Sequence, residues 1–136
     1  MTFSLFLNTV IVNYLKNKKD LKMNKILLTL ILATGLLFGG SYTTDQAANH
    51  VGENGTVCGI VTGGKYAKSS RGKPTFINLD GRYPYQKFTI LIWGENRHNF
   101  NSPEKRLNGK NVCVTGYIDS YRGIPQIEVT NKSQIE

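Results

Sequence analysis

The side chains in this sequence that could do chemistry are mostly cations and aromatic rings. Residues Lys65 to Pro74 hold Lys65, Tyr66, Lys68, Arg71 and Lys73 in a small-residue stretch closed by Gly72 and Pro74. A second set, Tyr121 and Arg122, sits before Gly123 and Pro125, a turn signature. Lys87 and Trp93 bracket a third segment. Cations neutralise anions and rings stack on flat ligands, so this is the chemistry of recognition. The acids and histidines do not assemble into anything comparable. Glu95, His98, Asp80 and Asp119 fall in different loops and give no nucleophile, base and orienter pattern. His50 and His98 have no ligand spacing with each other or with the two cysteines, so neither a metal nor a cofactor is expected. The expectation is a protein that is not an enzyme.

Elements of period two must position these groups. Thr56 to Val61 reads as a strand with Val57, Gly59 and Val61 on one face. Thr75 to Leu79 is a short second strand, turned by Asp80-Gly81, and Arg82 to Gln86 is a loop with Pro84 and two tyrosines. Lys87 to Trp93 is the strongest strand pattern: Phe88, Ile90 and Ile92 face a core, with Lys87, Thr89, Leu91 and Trp93 opposite. Gly94 to Asn108 lacks alternation and is a loop with a helical turn around Pro103 to Arg106. Gly109 to Val129 is a β-hairpin, with Val112, Val114 and Ile118 on one parity and Cys113, Thr115 and Tyr117 on the other. Its tip offers the Tyr121 ring and the Arg122 guanidinium to a ligand. Five strands without a convincing helix, joined antiparallel, are expected to close into a small barrel that leaves no edges. Glycines within strands, Gly59 and Gly116, suit its bends.

Val57 to Val61, Gly72 to Leu79, Val114 to Ile118 and Tyr121 to Ile127 together resemble the OB-fold, a five-stranded antiparallel Greek-key barrel. More narrowly, the pattern is similar to bacterial OB-fold nucleic-acid-binding modules, including those found beside secreted nucleases. The match runs from about Gly55 to Val129; the Asn-rich bridge between the third and fourth strands departs from it. The resemblance implies a binding face on the second and third strands, flanked by the first–second and fourth–fifth strand loops. It therefore selects Lys65, Tyr66, Lys68, Arg71 and Lys73 from one loop, Tyr121 and Arg122 from the other, and Lys87 and Trp93 from the sheet. Cations alternating with rings suit single-stranded nucleic acid, because cations pair with phosphates and each stacked ring contributes about 1–3 kcal/mol. The alternative is that the lysines are merely solvated and Trp93 caps a barrel mouth. The resemblance also makes the first and fourth strands antiparallel neighbours. Cys58 and Cys113 both lie opposite the valine faces, so they could meet outside the barrel as a disulfide, or remain two free thiols. A bridge would close a loop worth about 4 kcal/mol of chain entropy.

Ahead of the barrel, residues 1–41 read as an N-terminal extension with a signal peptide: Met23-Asn24-Lys25, an apolar run from Ile26 to Phe38, then Gly39, Gly40 and Ser41. At 13 residues the run is short for a bilayer span, which needs about 20. Met23 is the expected start, with residues 1–22 an over-extension; the rival is an uncleaved anchor using Phe3 to Leu15. Residues 42–54 read as a polar linker, 55–130 as the OB-fold domain and 131–136 as a polar tail. Of the net charge of +8, half belongs to residues 1–41 and half to residues 42–136, so the domain is mildly basic and permits a polyanion without demanding one. The sequence thus leads to an exported, periplasmic or secreted binding module, touching a membrane only through its N-terminal segment. Its expected partner is single-stranded nucleic acid. The alternatives are an extracytoplasmic adaptor or oligosaccharide binder, with a glycan or protein partner on the same face, and an accessory to a secreted nuclease.

Overall fold

Strand β2 (Asn54–Tyr66), preceded by the short β1 (Ser41–Thr43), organises the structure because it changes partners halfway along. From Asn54 to Ile60 it runs antiparallel to β5 (Asn111–Tyr121), and from Val61 to Tyr66 antiparallel to β3 (Thr75–Leu79). The register slips between Val61 and Gly63, where Gly63 adopts φ +151, a conformation that a side chain rarely tolerates. That slip turns one long strand from the first half of the barrel into the second. The computed structural model describes residues 39–136. Of the expected signal segment 1–41, residues 1–38, including the Met23 start, lie outside the described residues, while Ser41 already belongs to β1.

Strand β4 (Phe88–Ile92) pairs antiparallel with β3, and β6 (Ile124–Glu128) pairs antiparallel with β5. Closure comes from β6 lying parallel to β4, so the order is β2–β3–β4–β6–β5 and back to β2. The five-stranded Greek-key barrel is present, but it is mixed and the expected all-antiparallel pairing is corrected at this one seam. Side-chain alternation specifies which face is buried and carries no information on strand direction. Direction is set by the connection 93–110, which returns the chain across a barrel end before β5 begins.

Alternation assigns the core correctly. Val57, Val61, Ile77, Leu79, Phe88, Ile90, Ile92, Val114, Ile118, Ile127 and Val129 are buried at 1% exposure or less. In β4 the outward Thr89 and Leu91 are buried as well, so this strand is covered on both faces.

Residues 42–54, expected as a polar linker, are folded onto the barrel. β1 adds to β2 in parallel, and α1 (Thr44–Ala47) follows with Thr43 and Gln46 forming a capping box. Ala47 is fully buried, and the Thr44 hydroxyl donates to Asp80 Oδ2 at 2.6 Å while Asp80 Oδ1 accepts from the Ile60 amide at 3.0 Å. Ala47, the buried Thr44 with its bond to Asp80, and Tyr42 packed against the core dock a segment whose composition reads as a tether. The expected polar tail is likewise engaged. A 3₁₀ turn (Lys132–Gln134) leads to Ile135, which packs against the core, and Glu136 exchanges two backbone hydrogen bonds with Cys113. β1 and the final residues thus cover the two flanks that the β2–β5 ribbon would otherwise leave unpaired.

Candidate nucleic-acid interface

The bridge between β2 and β3 is a tight loop. Ala67 donates to the Pro74 carbonyl at 2.8 Å, Ser70 to Ala67 at 3.0 Å and Lys73 to Ser70 at 3.0 Å. Gly72 has φ +74, and a Cβ added there would lie 2.9 Å from the Trp93 indole. The Gly94 amide donates to the Gly72 carbonyl at 2.9 Å, so the loop is held down on Trp93-Gly94. Trp93 is therefore half-buried and serves as the seat of the basic loop. Lys65, Lys68, Arg71 and Lys73 are exposed, and among the described residues none of them forms an ion pair.

Tyr66 is placed differently from these cations. It pairs with Thr75, an inward-facing position, and the Arg97 guanidinium lies 3.7 Å from its ring centroid. Arg97 also donates to Thr75 Oγ1 at 2.6 Å and, through both terminal nitrogens, to the two carboxylate oxygens of Glu104 at 3.0 Å. Glu104 belongs to the one-turn helix α2 (Pro103–Arg106), where a helical turn was expected. Burial by itself raises the Glu104 carboxyl. The Arg97 hydrogen bonds, a backbone hydrogen bond and the Arg97 and Lys105 charges outweigh it and hold the group below its ordinary value. The cluster fills the barrel end beneath the basic loop and occupies one face of the Tyr66 ring. Residues 95–98 read as a solvated loop in sequence; Glu95 and His98 are exposed, while Arg97 is a cornerstone of this end. Only a pairing with an acid seven residues away, and with Thr75 twenty-two away, would have revealed it.

The remaining candidates lie at the opposite end of β4. Lys87 precedes that strand and its ammonium is 2.8 Å from Asp45 of α1; the hydrogen bond and charge of Asp45 raise it above its ordinary value. Thr89 lies level with Gln126 in the parallel β4–β6 pair, which puts the Tyr121–Ile124 turn beside the Lys87 end. Tyr121 is exposed, with the Arg122 guanidinium 5.3 Å from its ring centroid. Arg122 has φ +51. The nine candidates thus form two groups, Lys65, Tyr66, Lys68, Arg71, Lys73 and Trp93 at one end and Lys87, Tyr121 and Arg122 at the other. Six strand steps separate Trp93 from Lys87, about 20 Å. Register-matched outward positions lie between them, Phe76 beside Leu91 and Glu128, and Asn78 beside Thr89 and Gln126, and of these Leu91, Asn78 and Thr89 are buried.

The sequence reading missed two side chains at the second end. Tyr83 and Tyr85, in the β3–β4 loop, are 77% and 85% exposed. Their signal was the Tyr-Pro-Tyr spelling inside a turn, where small polar residues would serve the backbone equally well.

Cys58 and Cys113 are bonded. They face each other in the β2–β5 register with Cα atoms 4.0 Å apart. The bridge lies across the outside of the ribbon, as the parity of both strands requires.

No known protein family and no curated protein matches the sequence. Among solved structures, one described as a putative aspartyl-tRNA synthetase from Leishmania major Friedlin is similar at 8% identity and a TM-score of 0.43, over 76% of this chain. The chain spans 25% of the length of that protein.

Proposed function

We propose that this protein is a non-enzymatic OB-type module that binds single-stranded nucleic acid and works outside the cytoplasm. The observation that carries the reading is the basic loop. Four exposed cations, none of them ion-paired among the described residues, are displayed on a loop fixed to Trp93. A floppy lysine-rich loop would spread its charge, whereas this one presents it in fixed positions at low ordering cost. Phosphates would meet Lys65, Lys68, Arg71 and Lys73, and bases would lie beside that loop, because the outward Thr89 and Leu91 of β4 are buried. Export is supported by the disulfide, which suits an oxidising compartment, and by the signal-like residues before Ser41.

Titrating the protein with an oligothymidylate while following Trp93 fluorescence tests the binding. Four phosphate contacts give a log–log salt slope of about −3 for a single strand. Absent or salt-independent binding rejects the proposal. N-terminal sequencing of the protein recovered from its native compartment tests export; retention of residues 1–22 in a cytoplasmic fraction would sink that part alone.

A further inference from the structure

Large rings on a protein surface call for an explanation when the backbone carrying them is fixed, because an ordered turn needs no aromatic side chain. The β3–β4 loop is such a case. The Thr62 hydroxyl donates to the Gly81 carbonyl at 2.6 Å and accepts from the Gly81 amide at 3.2 Å. Gly81, at φ +150, lies directly under the Tyr85 carbonyl, where any Cβ would collide. Tyr85 donates to the Arg82 carbonyl at 2.7 Å and Lys87 to the Leu79 carbonyl at 3.1 Å. Lys87 is tied further to Asp45. This anchored loop nevertheless leaves Tyr83 and Tyr85 more exposed than any other large apolar or aromatic side chain among the described residues.

Tyr121 stands at the same barrel end and is 59% exposed. Arg82 and Arg122 accompany the rings, and among the described residues neither is engaged by an acid. The local acids are occupied: Asp45 by Lys87, Asp80 by Thr44 and the Ile60 amide, and Asp119 by the Ser120 amide. Three rings with two free guanidiniums match a run of bases joined by phosphates better than a neutral glycan, which would leave the cations unused.

We infer that Tyr83 and Tyr85, with Tyr121, form a second base-stacking platform. A single strand held by the basic loop would continue along the barrel to the far end of β4. This rests on the nucleic-acid reading above and extends it to a loop outside the predicted binding face. The separation of about 20 Å along β4 falls within the roughly 4–16 nucleotides that one OB fold engages. Arg82 and Arg122 would take phosphates between the stacked bases.

The test compares a dT4 and a dT12 oligonucleotide, and a dT12 carrying abasic sites in its 5′ or its 3′ half. Each is titrated by fluorescence anisotropy into wild type and into the Tyr83→Ala/Tyr85→Ala variant. Both rings are exposed, and an unchanged thermal melt shows that the variant is folded. Wild type should prefer dT12 to dT4, and the variant should lose roughly tenfold or more of dT12 affinity per ring removed. The salt slope should be retained, and one of the two abasic halves should reproduce the loss in wild type. Unchanged dT12 binding in the variant, with salt-dependent binding intact, overturns this inference and leaves the function standing. Absence of oligonucleotide binding in wild type overturns both. Loss of binding to a soluble oligosaccharide, with dT12 binding untouched, overturns the inference and identifies the rings as a glycan site.

Discussion

The two ends of β4 carry the same kinds of side chain in opposite arrangements. At the Trp93 end the cations are exposed and the rings are half-buried: Tyr66 lies under Arg97, and Trp93 lies against Gly72. At the Lys87 end the rings are exposed and the one lysine is neutralised by Asp45. The first end therefore presents cations without open rings, and the second presents open rings beside the Arg82 and Arg122 guanidiniums. Cations and rings that look interchangeable in a sequence are sorted by the fold into different tasks, and each end should respond to a different perturbation.

The frame that the ends share gives the largest effect. Replacing Cys58 and Cys113 with alanine should remove about 4 kcal/mol of stability in urea while leaving both ends' ligand contacts in place. A variant that unfolds at the same urea midpoint as wild type would show that the bridge does not constrain the chain. Arg97→Ala comes next, at about 2–3 kcal/mol, because it strands a largely buried Glu104 carboxylate. It should also loosen the basic loop's support and leave the Lys87 end alone, which hydrogen exchange in the 82–86 loop would check. The same pair predicts a pH dependence. Glu104 titrates lower in the folded state than unfolded, so its stabilisation is full above the ordinary carboxylate value of about 4.3 and is lost as pH falls through the lowered one. Glu104→Gln should flatten that part of the acid melting curve, and a curve identical to wild type would separate the pair from acid stability.

Binding changes are expected to be smaller in free energy. Lys68→Gln/Arg71→Gln/Lys73→Gln should weaken oligonucleotide binding on the order of 30-fold at low salt and reduce the salt slope by about 2. If the slope stays put, the loop is not the phosphate contact and the contrast between the ends collapses. Smallest is Gly72→Val, which pushes a side chain into the indole at a positive φ. It should shift Trp93 emission to longer wavelength and lower affinity a few-fold without moving the response of a Tyr83→Ala variant.

Much of the barrel was legible because Val, Ile and Phe alternate with polar residues wherever only one face is buried. Val57, Phe88 and Val114 declare the core by parity alone, and the same parity placed Cys58 and Cys113 outside. What was not legible depends on contacts far apart in the chain. Arg97 gains its role only when α2 delivers Glu104 and β3 delivers Thr75 to the same barrel end. The parallel seam between β4 and β6 leaves no mark in either strand. α1 was hidden by its polar composition, since its docking relies on a cap, on Ala47 and on the Thr44–Asp80 hydrogen bond. For the candidate interface, residue types were readable but grouping was not: Lys87 and Trp93 flank one strand and share a parity, yet they stand at its opposite ends. Tyr83 and Tyr85 were passed over because a turn containing proline reads as a mere connection.

The flanking strips on the β2–β5 ribbon have a consequence for how copies of the chain treat one another. The Thr56 amide is taken by the Gly40 carbonyl, and Cys113 is taken on both its polar groups by Glu136. Each strip occupies hydrogen-bonding positions through which a second molecule could add its own strand. Peeling away either strip would turn a self-contained barrel into one with an adhesive border, and solubility would then depend on protein concentration. A few residues at the margins of the fold thus act as guards against polymerisation.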